Sequence, residues 1–202
     1  VEWKQGTTLE VKKYADYWGG NQTNIEKVKF TPVPENGSRV AMLKTGEADF
    51  VYPMPQQDVK QFKDSKDVTI NESPSSIVRY VSINTFMDKY KDLKVRQAMN
   101  LAVDKEAYIQ VVKSGYGHVL DSTMSSETQY YAKQEAYEFD VEKAKELMKE
   151  AGYEKGFEAE IWGNTSSESL KGMEFIKQQL AQIDIDVKIK SMEEGTLSDE
   201  IY

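Results

Sequence analysis

Cysteine is missing from all 202 residues. That excludes disulfides, thiol catalysis and thiolate metal sites. It suits an exported protein from a cell that does not rely on disulfides, and it suits many cytosolic proteins equally. Histidine occurs once, at His118, with no second histidine and no cysteine at i+3 or i+4. A lone imidazole founds no metal site, and it makes a Ser-His-acid triad improbable, because Ser73–Ser76 and Ser125–Ser126 have no paired base. No apolar run approaches the ~20 residues that cross a bilayer. No Gly-x-Ser-x-Gly, Walker or Gly-x-Gly-x-x-Gly pattern occurs, and no cofactor is expected. The acidic positions Glu193-Glu194 and Asp184/Asp186 lack a glycine-bearing calcium loop around them and are read as solvated.

What is abundant is mixed charge. The net charge is −8, with 30% charged residues of both signs interleaved along the chain. No basic face gathers, so a phosphate backbone has nothing to bind and nucleic acid is not a partner. Basic residues are mostly lysine; the arginines are only Arg39, Arg79 and Arg96. Arginine suits planar, bidentate contacts and lysine suits solvated surface. Arg39 and Arg96, on helices, are expected to pair with nearby acids. Arg79 shares a strand face with Ile77, Val81 and Ile83, where it either meets solvent at the strand end or clamps a carboxylate.

The first half reads as strand-rich. Strands are expected at Thr8–Tyr14, Val28–Pro34, Ala48–Tyr52, Val68–Asn71 and Ile77–Ile83. A bulky turn, Tyr17-Trp18-Gly19-Gly20-Asn21, follows the first. Asn36 or Ser38 can cap a short helix Arg39–Lys44 that Gly46 stops, and Pro55 can open another over Asp58–Lys63. The second half reads as helix-rich. Asp92 and Asp104 can cap successive helices, closed near Ala102 and Gly115. Gly117–Tyr137 has no period and is expected to be a long surface loop. Asp140 caps an apolar stripe of Val141, Ala144, Leu147, Met148 and Ala151 that Gly152 ends, with Glu142–Lys145 and Glu146–Lys149 on its wet side. A strand Phe157–Trp162, a helix carrying Leu170, Met173, Ile176, Leu180 and Ile183, and a strand Asp186–Lys190 follow. That order argues for parallel pairing through crossovers in an α/β (mixed α+β) fold.

Five segments in order carry a resemblance: Tyr17-Trp18-Gly19-Gly20; Ile25–Phe50; Asn84-Thr85; Val95-Arg96-Gln97-Ala98 with Ala102-Val103-Asp104; and Phe139–Tyr153, an Asp-x-x-Lys-Ala helix ending in Ala-Gly-Tyr. Together they resemble the family 5 extracellular solute-binding proteins, which deliver oligopeptides, dipeptides and some metal chelates to ABC importers. The resemblance implies a type II periplasmic-binding-protein-like fold in which two lobes close over a ligand. It implies that residues 1–202 are one lobe, most of the second or C-terminal one, strand-rich to about residue 90 and helix-rich after it. The first lobe and a later Gly-Trp-x-x-Asp segment would lie outside these residues, so the chain is expected to be a piece of a longer protein.

The implied function is binding, not catalysis: one wall of a cleft that holds an oligopeptide for a membrane permease. A nickel chelate or sugar on the same scaffold is the alternative. Candidate ligand-binding residues are Asn84 and Thr85 at one strand end, Trp162 and Asn164 at another, and Arg79 as a carboxylate clamp. Asn84-Thr85 also fits a plain Asx turn, and Trp162 fits a core position. Dipeptide-binding relatives hold the ligand carboxylate with an arginine near the segment Trp162–Thr165; here the nearest cation in sequence is Lys171. Two other classes stand beside it: a hydrolase, which needs a carboxylate pair at facing strand ends where Asp49 and Asp186 are not obviously placed, and an interaction domain using loop Gly117–Tyr137. A monomer is expected, at the outer face of a Gram-positive membrane as a lipoprotein, or in a periplasm, with membrane contact only through an anchor before Val1.

Overall fold

The computed structural model describes residues 1–20 and 23–201, so Asn21, in the expected bulky turn, lies outside the described residues. The chain divides into two compact units, Val1–Ile70 and Asn71–Tyr202.

In the first unit, β1 (Glu2–Lys4), β2 (Thr8–Lys12) and β3 (Lys27–Phe30) form an antiparallel sheet in the order β1-β2-β3. Leu9 faces Phe30 and Val11 faces Val28 across the ladder. Helix α1 (Asn36–Thr45) follows, and Gly46 closes it at φ 74°. Neither Asn36 nor Ser38 caps it; the cap position is Glu35, without a side-chain bond. Asn36 Oδ1 instead accepts from the Arg39 guanidinium. Pro55 opens a 3-10 helix, Gln56–Phe62, that buries Val59 and Phe62.

The expected strands at 48–52, 68–71 and 77–83 form no ladder; these residues are irregular chain, bent at Asp49 and Tyr52. A strand needs a neighbour to satisfy its amides, and among the described residues none pairs with these segments. Their apolar side chains are accordingly uncovered: Phe50 and Tyr52 are each 76% exposed and Tyr80 is 67% exposed.

The second unit is where the core lies. After α2 (Asp88–Lys91), helices α3 (Leu93–Leu101), α4 (Lys105–Val112) and α5 (Val141–Glu150) each start where the sequence puts an aspartate. Asp92 accepts from the Lys94 amide, Asp104 from Ala107 and Asp140 from Lys143, at 2.8–2.9 Å. Strand β4 (Phe157–Asn164) runs into α6 (Ser167–Leu180), which crosses over to β5 (Ile185–Met192), parallel to β4 in register Phe157↔Ile185 to Asn164↔Met192. Helix α7 (Glu194–Ile201) follows.

Ala98, Ala102 and Ala144, all fully buried, let α3 and α5 approach closely, and Met148, Ala159, Leu180, Ile183, Ile185 and Val187 complete the cluster. On β4, Ala159 and Gly163 are buried while Glu158, Glu160 and Trp162 are exposed, so one sheet face is packed and the other is wet. The segment 117–137 holds no helix or strand. It is pinned from both sides: the hydroxyl of buried Ser125 donates to the Ser75 carbonyl outside the segment at 3.0 Å, and within it Asp121 accepts from the Tyr131 hydroxyl and the Gln134 amide.

Candidate functional site

In α/β sheets, polar groups for a ligand collect at the carboxyl ends of the strands, where helices begin. Here β4 and β5 end side by side at Asn164 and Met192, and α6 and α7 begin directly after them. Asn164 links both helix starts. Its Oδ1 accepts from the amide and hydroxyl of Ser166, the residue that caps α6, and its Nδ2 donates to Glu194 Oε2 at 2.6 Å. Thr165 donates to Glu193 Oε1 at 3.4 Å. The Glu193-Glu194 pair is exposed to solvent, as expected, and also takes hydrogen bonds from the β4 end.

Trp162 stands on the wet face, 39% exposed, and is not a core residue. Its indole N–H donates to Glu160 Oε2 at 3.1 Å. Lys190, its cross-strand neighbour, ion-pairs with Glu160 at 3.0 Å and places its ammonium 5.2 Å from the ring centre. The lysine and the indole together hold the Glu160 carboxyl below its usual pKa, against the opposing effect of burial. The cation beside Trp162 is thus Lys190, not Lys171. Finding it needs the parallel register, since 28 residues separate the two in sequence.

Arg79 comes to the same end of β4 on the packed side, against the first turn of α6. Its Nε lies 3.5 Å from Glu168 Oε1, and Lys113, just after α4, reaches that same oxygen at 2.9 Å. Burial opposes ionisation of Glu168, but the two cations outweigh it and hold its carboxyl below the ordinary value. Tyr108 of α4 stacks edge-on against Phe175, and burial, reinforced by the Glu168 charge, pushes its hydroxyl pKa up. Lys113, Glu168 and Tyr108 carried no local signal in the sequence; only the fold joins them.

Asn84 and Thr85 are elsewhere. Asn84 forms the Asx turn, its Oδ1 accepting from the Phe86 amide at 3.0 Å, and the turn leads straight into α2. Helix α2 docks at the opposite end of β4: Lys89 donates to the Glu158 carbonyl at 2.6 Å, and Tyr90 packs edge-on against Phe157. The structure therefore gathers Arg79, Trp162 and Asn164 at one end of the sheet and leaves Asn84 and Thr85 toward the other. In the first unit, an open groove of about 560 Å³ lies between α1 and the 3-10 helix, and Lys44 there bonds Gln61 and lies over the Phe62 ring. Among the described residues no group of acids and histidine is arranged to hold a metal ion.

In open α/β sheets, a strand end of this kind, followed by two helix starts, is where ligands bind. The profile of the bacterial extracellular solute-binding proteins, family 5 Middle, matches residues 1–201. The chain belongs to that family, which is one of binding proteins and not of enzymes. It is 35% identical over 202 residues to the glutathione-binding protein GsiB of Pectobacterium atrosepticum, covering 100% of this chain and 39% of that protein. Among solved structures, it is similar to the periplasmic binding protein DppA of Helicobacter pylori in complex with the peptide STSA. There the TM-score is 0.85 at 31% identity, with 97% of this chain and 38% of that one covered. The dipeptide-binding protein of Pseudoalteromonas sp. SM9913, in complex with Met-Leu, matches with TM-score 0.84 at 28% identity, covering 99% and 40%. The fold is thus the type II periplasmic-binding-protein fold of the peptide-binding family, and the chain spans about two fifths of the length of these relatives.

Proposed function

We propose that this chain is part of the substrate-binding component of an ABC importer, acting outside the cytoplasm, and that its solute is an oligopeptide handed to a membrane permease. The observation that carries the reading is the likeness along the whole chain to relatives named for glutathione and seen with short peptides. The β4–β5 end supports it. Asn164 at the strand end, Trp162 on the wet face and Arg79 on the packed side offer an amide, an aromatic edge and a cation around one end of the sheet, groups that suit a solute with a polar backbone and a charged terminus. Within this proposal residues 1–202 supply one lobe and one wall of the cleft, and Asn84 and Thr85 act first as the turn that seats α2.

Native mass spectrometry of the full-length protein, mixed with a pool of peptides two to five residues long, tests the reading. The expected spectrum shows the protein carrying peptides of one length class. Rejection of every peptide would sink the peptide assignment and turn the search to chelates and sugars on the same fold.

A further inference from the structure

Asn36-Gly37 is the one Asn-Gly step in the sequence; the other six asparagines precede Gln, Ile, Glu, Thr or Leu. We infer that Asn36 is a site of spontaneous deamidation, set up by the start of α1 and by the Arg39 guanidinium.

Deamidation needs a nucleophile and an electrophile in adjacent residues. The main-chain nitrogen that follows an asparagine attacks the carbonyl carbon of its side chain. Glycine leaves that approach open, and at Gly37 even an added Cβ would meet nothing within 4 Å. A helix interior suppresses the attack by tying each amide to a carbonyl one turn back, whereas the amides of the first turn have no such partner. Among the described residues, the first α1 amide with a main-chain partner is that of Arg39, which donates to the Glu35 carbonyl. The Gly37 amide has none, and the Glu35 side chain at the cap position does not take it either.

The electrophile is held as well. Arg39 donates through Nη1 to the Val33 and Pro34 carbonyls at 2.6 and 2.9 Å, which fixes the guanidinium, and through Nη2 to Asn36 Oδ1. A cation on Oδ1 draws electron density from Cγ and sits where the tetrahedral intermediate places its negative charge. Water is the only co-reactant. The Gly37 nitrogen loses its proton and bonds to Cγ, the Cγ–Nδ2 bond breaks, and Nδ2 takes a proton and leaves as ammonia. Water then opens the succinimide to aspartate or isoaspartate. The aspartate carboxylate meets a guanidinium that has no carboxylate partner among the described residues. It also adds an acid to a helix first turn that has none.

Peptide mapping by mass spectrometry tests the inference on the full-length protein aged in warm, mildly alkaline buffer, beside its Gly37→Ala and Arg39→Gln variants. The peptide holding Asn36 should gain the mass of an amide turned acid roughly tenfold faster than any other asparagine-bearing peptide. Gly37→Ala should suppress that gain, and Arg39→Gln should slow it by roughly tenfold, as loss of a charge-assisted hydrogen bond requires. Asn36→Asp, which makes the product directly, should melt no lower than the wild type. No gain at Asn36, or a gain spread evenly over the asparagines, overturns the site. An undiminished rate in Arg39→Gln overturns the part given to the guanidinium, and a lower melting temperature in Asn36→Asp overturns its reception of the new carboxylate.

Discussion

Gly156 has φ +64°, and a Cβ placed on it would lie 1.7 Å from the Asp184 carbonyl oxygen. No side chain fits without moving backbone. Gly152 has φ +80° but nothing within 4 Å of the same construction. The two glycines separate two penalties. Gly152→Ala meets only the left-handed backbone cost, about 1 kcal/mol. Gly156→Ala adds a backbone collision and is expected to cost about 3 kcal/mol or more. Urea denaturation of both variants checks this, and similar midpoints would refute the collision. Single residues were legible in the sequence where one local rule decides, as at Gly46, Gly115 and Gly152, all with positive φ. Arginine was not. The sequence leads one to expect ion pairs for Arg39 and Arg96, yet each donates to carbonyls five and six residues earlier, Val33 and Pro34 in one case and Tyr90 and Lys91 in the other. A guanidinium fits a pair of carbonyls as well as a carboxylate, and sequence alone does not distinguish them.

At the level of elements, helices were readable because their start signals are local. Asp140 caps α5 through the Lys143 amide, and Ala144 and Met148 fall on the buried face that the apolar stripe predicted. Removing that cap by Asp140→Ala is expected to cost about 1 kcal/mol, and Asp140→Ser to leave stability nearly unchanged. Thermal unfolding of the two variants checks it; equal losses would mean that the carboxylate charge, not the capping bond, matters. On the wet side of α5 the spacing rule held for one pair and failed for the other. Lys145 meets Glu142, but Glu146 turns to Lys143, and Lys149 reaches Glu154 beyond the helix. Strands were harder. Phe157–Trp162 and Asp186–Lys190 were legible because each supplies the other's ladder across a crossover helix. Residues 48–52 and 77–83 have strand-like composition, but composition supplies no partner, and among the described residues no ladder forms there.

Across the second unit, the candidate site depends on contacts that no sequence window contains. Arg79 precedes α2, Lys113 follows α4 and Glu168 opens α6, so the triad ties three segments that the core brings together. Its pH dependence follows from the direction of the Glu168 shift. Burial raises that pKa, Lys113 and Arg79 lower it further, and the net folded value lies below the unfolded one. A depressed carboxyl pKa means stability that is present above the unfolded value and lost as pH falls through the folded value. The loss belongs to the acid side only, and it is small, under about 1 kcal/mol, because solvent screens a half-exposed pair. Wild type and Glu168→Gln should therefore differ in urea midpoint at about pH 6 and converge as pH falls through the depressed folded pKa. The titration of the Glu168 carboxyl carbon by NMR gives the sharper reading: its midpoint should lie below that of a free glutamate and rise in Arg79→Gln. A midpoint that ignores Arg79 would show that Lys113 alone neutralises Glu168, and that nothing holds the guanidinium in place at the end of the sheet.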